Sequence, residues 1–109
     1  MFNRVIVLGR LTREPNEKRI TTVAVDGGKD KKGNEHTDFI PVIVPQKLFD
    51  SIGQYLTKGK LVLVEGSLKS YKDKNNHEQL IVSVRNIQLL SSNSKKAEEI
   101  EDDSDSIFD

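Results

Sequence analysis

Two stretches of this 109-residue chain set an aromatic ring where chemistry is possible. Lys69-Ser-Tyr71-Lys72 places a ring between cations at the base of a charged turn. An exposed ring beside cations is a platform on which a flat heteroaromatic ligand stacks while the cations meet its anionic groups. Phe39 lies in the run Thr37-Asp-Phe-Ile-Pro-Val-Ile-Val, where strand alternation sets it on the face opposite Ile40 and Val42. The rest of the chemical repertoire is thin. There is no cysteine, which excludes disulfides and Cys-based zinc sites. His36 and His77 stand far apart among polar and charged neighbours and read as solvated loop residues, not metal ligands. No nucleophile motif, Gly-rich phosphate loop or spaced set of metal ligands occurs. Asp26-Gly-Gly and Lys31-Lys-Gly-Asn are turn chemistry. These residues give an enzyme reading no support.

The net charge is zero, but the charges are segregated. Residues 1–96 carry all 17 Lys and Arg against ten acids, a surplus of seven positive charges. Residues 97–109 carry the other seven acids and no base. A basic body suggests a polyanionic partner. Charge alone equally allows a solvated surface with a solubilising tail. No apolar run approaches the roughly 20 residues of a membrane helix, and the opening apolar stretch is too short for a signal peptide. A cytoplasmic protein is the expectation.

The elements that must position these residues are mostly strands. Residues 4–11 form a β-branched run and 19–26 a Thr- and Val-rich one. The cluster 26–34 reads as a hairpin loop whose Lys29, Lys31 and Lys32 are within reach of a ligand. Residues 37–44 form a third strand, in which Pro41 must occupy an edge, a bulge or a non-bonded ladder position. Leu48, Ile52 and Leu56 recur at i, i+4 and i+8, predicting one helix over 47–56, closed by Gly59 with Lys58 in its last turn. Phe49 and Tyr55 are expected to pack in the core or cap that helix. Residues 61–65 and 66–72 make a strand bent at Gly66, 72–77 a charged hairpin tip, and 80–90 the last strand. Five strands with one helix between the third and fourth is the OB-fold plan, an all-β Greek-key barrel. An SH3-like barrel is the rival and normally lacks that helix. From Ser91 on, periodicity is lost and the composition predicts disorder. The domain reading is a barrel over 1–90 and an acidic tail over 91–109.

Several blocks resemble the bacterial single-stranded DNA-binding proteins, in family order across residues 2–90. Asn3-Arg-Val-Ile-Val-Leu-Gly-Arg-Leu-Thr-Arg-Glu-Pro is similar to their opening strand, and Thr37-Asp-Phe-Ile-Pro-Val to their third. Lys47-Leu followed by Tyr55-Leu-Thr-Lys-Gly-Lys-Leu-Val-Leu-Val-Glu-Gly-Ser-Leu resembles their helix, turn and fourth strand. Val82-Ser-Val-Arg-Asn-Ile-Gln-Leu-Leu resembles their last. The acidic end near Ile107-Phe108 resembles the family's partner-recruiting C-terminus.

The resemblance implies an OB-fold, usually a homotetramer, that coats single strands during replication, recombination and repair. It implies no catalysis, cofactor or metal, and a nucleoid-associated, cytoplasmic setting. It implies that bases stack on Phe39 and Tyr71. The phosphate candidates are Arg4, Arg10, Arg13, Arg19, Lys47, Lys69, Lys72 and Lys74. Asp102, Asp103, Asp105, Ile107, Phe108 and Asp109 are the expected contacts to a replication or repair partner.

The departures are also specific. Pro45 stands where the family commonly has an aromatic, and Gly27-Gly28 where it often has another. There is no tryptophan. The segment 14–19 is shorter than usual. Ser106 stands near a proline place, and Asp109 follows Phe108. These differences lean toward a divergent phage- or plasmid-type member. They also leave open an accessory OB protein acting mainly through protein contacts, or an OB domain preferring structured RNA.

Overall fold

The computed structural model describes residues 1–90; the segment 91–109, expected to be a disordered tail, lies outside the described residues. Five strands, β1 (Val5–Leu11), β2 (Ile20–Lys29), β3 (Glu35–Ile43), β4 (Leu61–Lys72) and β5 (Glu78–Leu89), close into a barrel in the order β1-β2-β3-β5-β4. All neighbours are antiparallel except β3 and β5, which run parallel. A single helix, α1 (Gln46–Ile52), sits between β3 and β4, as the OB-fold plan requires.

Strand alternation builds the interior. Leu11, Val23, Val42, Val44, Leu56, Val62, Val64, Val82, Val84 and Ile87 form one buried cluster. Most are valines, whose stiff branched side chains suit the narrow lumen of a small barrel. Burying each such side chain stabilises the fold by about 1.5–3 kcal/mol. The lumen is tight enough that two strand positions admit no side chain. A Cβ at Gly9 would fall against the carbonyl oxygen of Ala24, and one at Gly66 against that of Ser83.

Pro41 occupies a non-bonded ladder position, and the reason is geometric. Thr22, its partner across β2, gives its carbonyl to the N–H of Thr12, the residue just past β1, at 2.9 Å. The N–H and C=O of one strand residue point the same way. Thr22 therefore faces β1, and Pro41 needs no N–H toward β2. On its other side β5 pairs only from Val42 onward.

Three expectations are corrected. The helix ends at Ile52 and gives way to a 3-10 turn, Gly53–Tyr55, instead of running to Leu56. Gly53 is where the helix tightens, and the Phe49 ring lies against it, so a Cβ there would meet ring carbons at 2.8 Å. Leu56 still reaches the core, 1% exposed, from beyond the turn. Lys58 is therefore not in a last helical turn, and Gly59, at φ 87°, shapes the following bend. Tyr55 is half exposed, not packed. The bend expected at Gly66 coincides with a register irregularity there: β4 runs unbroken, and β5 inserts Arg85 between the partners of Glu65 and Gly66.

Among the described residues, no helix is long and apolar enough to cross a membrane. No group of three or more His, Asp or Glu there is placed to hold a metal ion.

Candidate nucleic-acid interface

Because β3 and β5 are parallel, the two hairpins that precede them project from the same end of the barrel. The arms are β2–β3, turning at residues 30–34, and β4–β5, turning at 73–77. The helix and the β1–β2 loop lie at the opposite end. The outward face of the strands between them carries the two rings. Phe39, opposite Ala24 on β2, is 63% exposed, while Val42 on the alternate face is fully buried. Tyr71, opposite Gln79 on β5, is 45% exposed.

The register brings these rings into line. Val42 pairs with Val82, and both face the core. Three residues back along the parallel strands, Phe39 is level with Gln79, which is the cross-strand partner of Tyr71. Two inter-strand spacings separate them, about 10 Å, widening as the arms splay. The next row along the same face holds Pro41, Ile81 and Lys69, since Lys69 pairs with Ile81. Phe39, Tyr71 and Lys69 thus share one surface: two rings and a cation, with half-buried Pro41 and buried Ile81 beneath and between them.

The cations divide into groups. Lys72 alternates to the other face of its arm, opposite Glu78, so only Lys69 shares the face of Tyr71. Lys74 lies on the tip of that arm. Arg4, beside the root of the same arm, is ion-paired with Glu65. Asn3 ties this segment down: its side-chain amide donates to the Leu68 carbonyl and its Oδ1 accepts the Leu68 N–H, both at 2.8 Å. Arg10, Arg13, Arg19 and Lys47 lie toward the helix end. Arg10 donates to the Gly59 carbonyl at 3.1 Å. Arg13 and Lys47 are exposed.

Arg19 is built into the fold. It holds φ at 63°, a left-handed conformation unusual for a non-glycine residue. Its Nε donates to the Val44 carbonyl at 3.0 Å and its guanidinium to Gln46 Oε1 at 3.0 Å. Its own carbonyl accepts the Val44 N–H. The side chain therefore latches the β1–β2 loop to the start of α1, with its remaining donors left for other work.

His36 lies in β3, not in a loop, and its Nε2 is 2.8 Å from Asp38 Oδ1. Both alternate to the face opposite Phe39. The Gly27 position leaves room for them, since a Cβ there would meet the imidazole Cδ2 at 2.8 Å. The Asp73 carboxyl is held below the usual aspartate range, chiefly by the backbone N–H of His77, with Asn75 and Gln79 adding to it.

Sequence reasoning missed one surface. On β1 the outward residues Ile6 and Leu8 are apolar, as are their neighbours Leu61 and Leu63 on β4. Ile6 is 60% exposed and Leu8, Leu61 and Leu63 are half-buried. The signal was present in Val5-Ile-Val-Leu8, an unbroken apolar run, which marks a strand with apolar surroundings on both faces.

The model of the single-strand binding protein family matches residues 2–90. Single-stranded DNA-binding protein 2 of Streptococcus agalactiae serotype III (strain NEM316) is 37% identical over 109 residues, covering 89% of this chain and 83% of that protein. A Plasmodium falciparum SSB, solved in complex with ssDNA, superposes with a TM-score of 0.67 at 25% identity, covering 84% of this chain and 96% of that one. A mitochondrial single-stranded DNA binding protein from S. cerevisiae gives a TM-score of 0.66 at 22% identity over 85% of this chain and 99% of the other, a likeness of fold.

Proposed function

We propose, from the premise that this chain belongs to the single-strand binding protein family, that it coats single-stranded DNA with little sequence preference during replication, recombination and repair. The family is one of binding proteins, not enzymes. The observation that carries the reading is the shared outward surface of Phe39, Tyr71 and Lys69. Every base has a π-face, so stacking tolerates any sequence, at about 1–3 kcal/mol per base. Phosphates are followed by Lys47 and Arg13 on the body, by Lys69, Lys72 and Lys74 on the arm, and by Arg4, Arg10 and Arg19. With aromatics absent at Pro45 and Gly27-Gly28, a larger share of the affinity is electrostatic.

The chain works as a homo-oligomer, a tetramer by family likeness, with a dimer as the simpler case. The strip of Ile6, Leu8, Leu61 and Leu63 supports this, because an exposed apolar sheet face calls for a covering partner. The acidic end recruits replication or repair proteins. Ile107 and Phe108 enter an apolar pocket, while Asp102, Asp103, Asp105 and Asp109 meet basic residues. The setting is the nucleoid in the cytoplasm.

The test is a titration of oligo(dT) at low and high salt, with light-scattering mass measured on the same samples. Binding that weakens steeply with salt, to a particle of two or four copies, is expected. Absence of binding, or tight binding insensitive to salt, contradicts the reading. A second reading, an accessory member acting mainly through protein contacts, is favoured by the missing aromatics. It predicts weak DNA binding alongside retained capture of replication proteins, abolished when residues 103–109 are deleted.

A further inference from the structure

The two hairpin tips are the same turn built twice. In the first, Asp30 Oδ1 accepts the backbone N–H of Lys32 at 2.8 Å and of Asn34 at 2.9 Å. In the second, Asp73 Oδ1 accepts the N–H of Asn75 at 2.9 Å and of His77 at 3.0 Å. The backbone repeats the pattern. Asp30 N–H donates to the Asn34 carbonyl and Gly33 N–H to that of Asp30; Asp73 N–H donates to the His77 carbonyl and Asn76 N–H to that of Asp73. The fourth residue of each is left-handed, Gly33 at φ 84° and Asn76 at φ 65°, the two residue types that adopt this conformation most readily. Residue for residue, Lys31 corresponds to Lys74.

Both tips leave the barrel at the same end. Lys31, Lys32 and Lys74 are exposed and, among the described residues, make no ion pair. Each tip aspartate spends one oxygen on two backbone N–H groups, so its charge is drawn into the turn. The arm that carries Lys74 also carries Tyr71, and the arm that carries Lys31 and Lys32 also carries Phe39.

We propose that the two tips act as matched jaws on one DNA strand, Lys31 and Lys32 on one side and Lys74 on the other, with Asp30 and Asp73 as positioning residues that fix these lysines by locking the turn. This rests on the single-strand reading above. A locked turn removes backbone freedom that a loose loop would lose on engaging a phosphate. Both tips stand further from the barrel than the rings on the same arms, so the lysines meet backbone beyond the stacked bases.

Asparagine separates the roles. D30N and D73N keep an oxygen acceptor and remove a negative charge; D30A and D73A remove the same charge and the acceptor. Salt-titrated binding of fluorescent oligo(dT) to the full chain reads the difference, with thermal melts confirming that each variant is folded. K31Q/K32Q and K74Q should each weaken binding two- to tenfold and reduce the slope of log K against log salt by about 0.7 for each phosphate no longer neutralised. D30N and D73N should bind at least as tightly as the parent. D30A and D73A should bind severalfold more weakly than their asparagine counterparts. Equal affinity of the alanine and asparagine variants overturns the positioning role. An unchanged salt slope in either lysine variant, with the parent still binding, overturns the paired jaws. A parent chain that does not bind overturns instead the reading on which they rest.

Discussion

The two halves of β4 are one unbroken strand with two different jobs. From Leu61 to Gly66 alternate residues are fully buried, Val62 and Val64 in the core and Gly66 against the Ser83 carbonyl. From Leu68 to Lys72 every residue is exposed, although pairing with β5 continues to Glu78. The backbone is the same; what changes is what the side chains meet. The first half is held by packing on both sides, the second by its hairpin partner and, at Leu68, by the Asn3 side chain. A two-stranded ribbon is marginal alone, so the arm borrows its order from the barrel root and from the locked turn at its tip. Substitutions in the two halves should therefore separate stability from binding.

The largest effect is expected at the junction. Gly66→Ala drives a methyl into the Ser83 carbonyl and should lower stability by about 3 kcal/mol, or prevent folding, as read by thermal or urea melts. Leu56→Ala, which empties a fully buried site, should cost about 2–5 kcal/mol by the same measurement. In the exposed region the sign of the separation reverses. Phe39→Ala should leave stability within about 0.5 kcal/mol but weaken oligo(dT) binding by about 1–3 kcal/mol, roughly 5- to 150-fold. Lys69→Gln should cost less affinity and lower the salt slope by about 0.7. A melt that falls with Phe39→Ala, or an unchanged affinity, would erase the contrast.

The smallest effect is in pH. The folded pKa of Asp73 is depressed, so its contribution to order is fully present above the unfolded value. It is lost as pH falls through the folded one. The tip amides of Asn75 and His77 should exchange with solvent faster below that range while the core of β4 stays protected. Uniform exchange along β4 would argue against an arm with its own local stability.

Much of this division was legible in the residues. Strand number, the place of the helix and the barrel plan follow from periodicity and from the positions of the turns. Phe39 on the outer face follows from alternation with Ile40 and Val42. What was not legible depends on contacts distant in sequence. Gly66 reads as a bend because a strand glycine usually marks one, but that the Ser83 carbonyl forbids a side chain there is not legible. Lys72 looks like a neighbour of Tyr71 in one dimension, yet alternation puts it on the opposite face. Arg19 looks like a free surface cation, but its left-handed backbone and its bonds to Val44 and Gln46 exist only once β3 lies beside it. The likeness of Asp30 to Asp73 is hidden because the tips share the sequence pattern only as Asp-Lys-x-(Gly or Asn)-x-Glu, and short turns of this kind are common.

The most direct test uses the absence of tryptophan from the chain. Phe39→Trp places a single indole on the outward face beside the proposed path of the strand. Titrated with oligo(dT), its emission should quench strongly and saturate at the same point as a labelled-DNA anisotropy signal, because a stacked base lies against the ring. Saturable anisotropy with unchanged indole emission would mean that DNA binds elsewhere, and that the surface shared by Phe39, Tyr71 and Lys69 is not the interface.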